Sequence, residues 1–104
     1  DLPMPACGYL RADNAGEGFE SVGWRFSAEK IFNHTKVRSL LQRVQAERIK
    51  AIMITDAGIF GYNISGTAFS EVYLDDCTES RLEIISLESD SWWEQAILEC
   101  LVTH

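Results

Sequence analysis

Polar and apolar positions alternate from Phe19 onward, and the period changes along the chain. Val22, Trp24 and Phe26 alternate with Ser21, Gly23 and Arg25, which predicts a half-buried strand over about residues 19–26. The period then lengthens. Val37, Leu40, Leu41 and Val44 fall at i, i+3, i+4 and i+7 behind Asn33, a good N-cap. Ser27 offers an alternative, earlier cap. The stripe predicts a helix lying on a sheet.

Ile49 to Thr55 is almost continuously apolar and predicts a central strand. Asp56-Ala57-Gly58 turns the chain, and Phe60, Tyr62 and Ile64 alternate as the second arm of a hairpin. Ser65-Gly66 breaks the run. Ala68–Leu74 predicts a weaker strand, 75–80 a polar turn, and Arg81–Leu87 a further strand. Ser91-Trp92-Trp93-Glu94 fits a capping box, with Ser91 as cap and Glu94 reaching back. Trp93, Ala96, Ile97, Cys100 and Leu101 then form one helical stripe. The order is strand, helix, four strands, helix. Hairpin-like links make the sheet mainly antiparallel. The expectation is an α+β two-layer sandwich of about five strands with both helices on one face. Residues 1–18, rich in Pro, Gly and small side chains, read as a linker or loosely attached arm; residues 19–104 read as the domain.

Composition fits that picture. The chain has 104 residues, 46% hydrophobic and 24% charged, enough for one core. Net charge is −7, which disfavours phosphate backbones and anionic membranes. No nucleic-acid or membrane partner is expected. Cys7, Cys77 and Cys100 are odd in number and widely spaced, with no CxxC, which points to unpaired thiols in the cytoplasm. The chain opens at Asp1 rather than Met, so a piece of a longer protein is expected.

Several short motifs occur in a telling order: Gly23-Trp24-Arg25-Phe26, Phe32, Leu40-Leu41, Arg48-Ile49-Lys50-Ala51, Arg81-Leu82-Glu83-Ile84-Ile85 and Leu98-Glu99-Cys100-Leu101. Over roughly residues 20–102 this order resembles the C-terminal domain of the CobW-type, metal-handling P-loop GTPases. Ala51 stands where that family usually has Gly. In such proteins a separate N-terminal domain carries a Gly-x-x-x-x-Gly-Lys-Ser/Thr loop and a Cys-x-Cys-Cys metal site, and neither occurs here. The resemblance therefore implies an accessory, regulatory and protein-interaction domain, with no enzyme activity of its own. Its implied partners are the GTPase domain of the same chain and a client metalloprotein. GTP, Mg²⁺ and zinc or cobalt belong to the parent protein, which the resemblance links to metal homeostasis and cobalamin biosynthesis. The alternative is a free-standing small ligand- or metal-binding module.

No nucleophile, base and orienter converge by spacing, and no cofactor motif is present. Weak metal-ligand candidates are His34, His104 and Cys77, too far apart in sequence for a short-spaced site. His34 reads as a solvated side chain in the first helical turn and Cys100 as a core residue. Asp75, Asp76 and Glu79 read as a solvated acidic turn. Arg48, Lys50 and Trp92 are candidates for an interaction surface. The first two also suit charges at a strand entrance. Trp92, about 100° from Trp93 on a helix, also suits cover for a sheet edge.

Overall fold

Side chains two apart on a strand share a face, so the alternation seen in the sequence sorts the sheet into two sides. In the computed structural model, which describes residues 2–103, the elements run β1 (Tyr9–Gly16), β2 (Phe19–Ser27), α1 (His34–Arg43), β3 (Arg48–Thr55), β4 (Gly58–Ser65), β5 (Ala68–Leu74), β6 (Glu79–Ser86) and α2 (Trp93–Leu98). The six strands form one sheet in the order β1-β2-β6-β3-β4-β5, and every pairing is antiparallel. The fold is α+β. It holds six strands rather than about five. The extra one is β1, drawn from the segment expected to be a loose arm. Tyr9 to Gly16 pairs with Phe26 to Phe19 along its whole length. Hydrogen bonds to β2 outweigh the weak strand propensity of Ala, Asn, Asp and Gly.

Both helices cover one face. Val22, Trp24 and Phe26 of β2, Ile49, Ala51 and Met53 of β3, and Leu82 and Ile84 of β6 point to it. They meet Val37, Leu40 and Leu41 of α1 and Trp93 and Ile97 of α2 in a single core. Burying each of the larger of these side chains stabilises the fold by about 1.5–3 kcal/mol before the entropy of ordering it. Helix α1 starts at the later of the two expected caps: Asn33 accepts a hydrogen bond from the Lys36 N–H at 2.9 Å. Residues 31–33 then tie the two helix ends to the sheet. Phe32 donates its N–H to the Ile54 carbonyl (3.0 Å), and Asn33 donates to Cys100 (2.7 Å). The Phe32 ring is fully buried and meets Phe26 edge-on, with centroids 4.9 Å apart.

The expected capping box at Ser91 does not form. Trp92 takes the N-cap position with no side-chain hydrogen bond. Glu94 turns instead to β1 and β2, where its Oε1 accepts from Trp24 Nε1 (3.0 Å) and Arg11 Nη1 (3.3 Å). A buried indole N–H needs a partner more than a solvent-exposed helix start does, and that preference decides the rotamer.

Candidate functional site

With both helices on one side, the other face of the sheet is bare, and its side chains follow from the register. One row across it reads Ala12, Gly23, Glu83, Lys50, Asn63 and Ser70; the next reads Leu10, Arg25, Arg81, Ile52, Gly61 and Val72. Gly23 has no side chain. A Cβ added there would meet nothing closer than the Leu82 carbonyl oxygen at 3.8 Å. The gap opens a shallow hollow of about 420 Å³, with Leu10 and Ile52 beside Arg25, Lys50, Arg81 and Glu83. Val72, 52% exposed, extends the apolar surface toward β5.

Charge on this face is organised. Glu79 accepts two hydrogen bonds from Arg25, Nε to Oε2 at 2.6 Å and Nη2 to Oε1 at 2.9 Å. Arg81 adds a third at 2.9 Å. The Arg25 hydrogen bonds hold the Glu79 carboxyl below its ordinary value, against the opposing push of burial. Arg25 also donates from Nη1 to the Leu2 carbonyl (2.6 Å), drawing the segment before β1 across one end of the face. The acidic turn is thus smaller than expected: Glu79 opens β6 as the acceptor for two arginines.

Arg48 and Lys50 lie on this same face, both exposed, with Lys50 in register with Glu83. Trp92 does not join them. It sits at the start of α2, in the helix layer, 41% exposed, with the Arg43 guanidinium 5.7 Å from its ring centre. The expected surface therefore divides between two sides of the molecule.

Among the described residues, the weak metal candidates His34 and Cys77 join no common ligand group. His104 lies outside the described residues. Cys77 is half-buried in the loop between β5 and β6. Burial pushes its thiol up, and the nearby Asp76 and Glu79 carboxylates add to the rise despite a backbone hydrogen bond from Glu79 that opposes it. The reactive thiolate is correspondingly scarce at neutral pH. Cys100 is buried, as its place on the helical stripe requires, and donates to the Ala96 carbonyl at 3.3 Å. Among the described residues no three His, Cys, Asp or Glu side chains come together as a metal-ligand group. Nor is any helix among them long and apolar enough to cross a membrane.

His34 is not the solvated side chain expected. Its Nε2 lies 2.9 Å from Glu71 Oε2, and its ring stacks on Phe60 with centroids 4.3 Å apart. The same Glu71 oxygen accepts from Tyr62 Oη (2.6 Å) and pairs with Arg38 Nε (3.2 Å). Burial pushes Glu71 up, but hydrogen bonds from Tyr62 and His34 and the Arg38 charge outweigh it, leaving the carboxyl below its ordinary value. Burial and the Glu71 carboxylate together raise the Tyr62 hydroxyl strongly. The cluster fastens α1 to the β4–β5 hairpin. Only the parity of Glu71 with Phe69 and Tyr73 along β5 carried a signal for it.

Comparison with known proteins points the same way as the ordered motifs. No family profile matches the chain, and no solved structure matches it. It is similar to the zinc chaperone YeiR of Escherichia coli (strain K12), at 24% identity over 88 residues. That stretch is 81% of this chain and 26% of YeiR. The chain thus spans about a quarter of the length of the curated relative it matches. The likeness connects it to a metallochaperone.

Proposed function

We propose that this chain is the accessory, regulatory and protein-interaction domain of a CobW-type, GTP-dependent metal chaperone. The observation that carries the reading is the bare sheet face. It combines an apolar floor with Arg48, Lys50, Arg25 and Arg81, four cations against the Glu79 and Glu83 carboxylates on that face, on a chain whose net charge is −7. Concentrating cations on one side of an acidic molecule sets up docking with an acidic surface and fixes its orientation. The ordered motifs and the partial likeness to a zinc chaperone support the family. The surface to be met is the GTPase domain of the same polypeptide. A client metalloprotein contacts what remains uncovered, including Trp92. GTP, Mg²⁺ and the zinc or cobalt cargo are handled by that other domain, and this one supplies no catalytic group. Metal homeostasis in the cytoplasm, in the setting of zinc supply or cobalamin biosynthesis, is the corresponding role.

The coding sequence upstream of Asp1 tests the reading. It should encode a Gly-x-x-x-x-Gly-Lys-Ser/Thr loop and a Cys-x-Cys-Cys element in the same frame. A start codon directly before Asp1, with neither motif, would sink the proposal.

A further inference from the structure

The two edges of the sheet are built differently. The β1 edge carries Arg11, Asp13 and Asn14 and ends in Gly16, with Arg11 clamped on Asp13 at 2.7 Å. Such charges keep other strands from pairing with an exposed edge. The β5 edge has no such guard. Its seven residues, Ala68 to Leu74, contain no Pro, Lys or Arg. Val72 and Tyr73 are 52% and 65% exposed, and no strand lies beyond β5 among the described residues. Its single charge, Glu71, turns toward the helix layer and is compensated by Arg38.

We infer that the β5 edge is a self-association site, joining a second copy of this chain by antiparallel pairing of β5 with β5. The sequence of the strand is self-complementary about Glu71. Centring the two-fold axis there sets Phe69 opposite Tyr73 of the second copy, Ser70 opposite Val72, and Ala68 opposite Leu74. Each side chain keeps its own face, so both helix layers stay on one side of a continuous twelve-stranded sheet. A shift by one residue would turn one copy's apolar side chains onto the wrong face. Aromatic pairs directly across antiparallel strands are among the more favourable cross-strand contacts. The two Glu71 carboxylates face each other across the axis, a like-charge contact that opposes pairing and that Arg38 on each copy offsets. The net charge of −7 on each copy opposes the pairing at long range, so added salt tightens it. This site is the β5 edge, which borders the bare face at Val72, and it stands independently of the function proposed above.

Sedimentation velocity on the whole chain tests the inference. At roughly 100 µM the wild type should sediment as a dimer that dissociates on dilution, and the dimer fraction should rise between low and high salt. Val72→Lys should weaken association at least about tenfold while leaving the circular dichroism spectrum unchanged. Ala68→Lys, at a second exposed position of the same edge, serves if the first variant folds poorly. Asn14→Lys on the β1 edge should dimerise like wild type. A wild type that stays monomeric at that concentration overturns the inference and leaves the edge to a foreign strand. So does a dimer that persists in both β5 variants, or one that loosens as salt is added.

Discussion

Glu71 concentrates the most physics in one residue. One carboxylate oxygen serves Tyr62, His34 and Arg38 together, and the net effect is to favour the charged form. A carboxyl lowered on folding contributes stability above its unfolded value, and that contribution fades as pH falls through the folded value. Tyr62, raised on folding, works in the opposite sense: its contribution is present below its ordinary value and is lost as pH climbs beyond it. Urea midpoints measured from pH 7 down to pH 3 should therefore fall less in Glu71→Gln than in wild type. Ser80 is a second single-residue fixture. The paired register of β3 with β6 runs only as far as Ile52 opposite Arg81, and the next inward-facing N–H, on Ile54, donates to Ser80 Oγ at 2.8 Å. Ser80 is fully buried. Ser80→Ala should cost about 1–3 kcal/mol in equilibrium unfolding, because a buried donor loses its acceptor.

At the scale of elements, period was a good guide, and the hairpin links gave the antiparallel pairing of β3 with β4; long-range neighbours left less trace. The stripe Val37, Leu40, Leu41 marks α1, and the alternation of Val22, Trp24 and Phe26 marks β2, because burial on one side leaves that imprint directly in the residues. Strand β1 leaves almost none. Six of its eight residues, from Arg11 to Gly16, are exposed, so its pairing depends on backbone bonds that any sequence can make. The α2 cap misled for a related reason: Glu94 fits a local motif, yet a partner 70 residues away in the chain claims it. In the candidate site, the outward parity of Arg48 and Lys50 was legible from β3 alone. Their company with Arg25, Glu79 and Arg81 was not, since it depends on β2 and β6 being neighbours. Deleting residues 1–16 separates a structural strand from a loose arm. Loss of β1 uncovers the β2 edge and removes the Arg11 contact with Glu94 and the Tyr9 stacking on Phe26. The truncated chain should melt well below the full chain; an unchanged melting temperature would return residues 9–16 to the status of an arm.

For the whole molecule, the decisive asymmetry is one covered face and one bare face. Nothing in the core requires the outward surface to be apolar and cationic, so fold and docking should separate under mutation. Gly23→Ala is the clean case. The added methyl group has room, with its nearest neighbour at 3.8 Å, and alanine restricts the unfolded chain more than glycine does. Thermal stability should hold or rise slightly, while association through the hollow should weaken as its floor fills. The most direct measurement pairs this chain with the P-loop domain that the proposed function places upstream, produced separately, in isothermal titration at low and moderate salt. Docking through the bare face should give saturable binding that weakens as salt rises and falls at least about tenfold in Arg48→Glu with Lys50→Glu, with the spectrum of the folded chain unchanged. Binding indifferent to both charge reversals, or no binding at all, would contradict it.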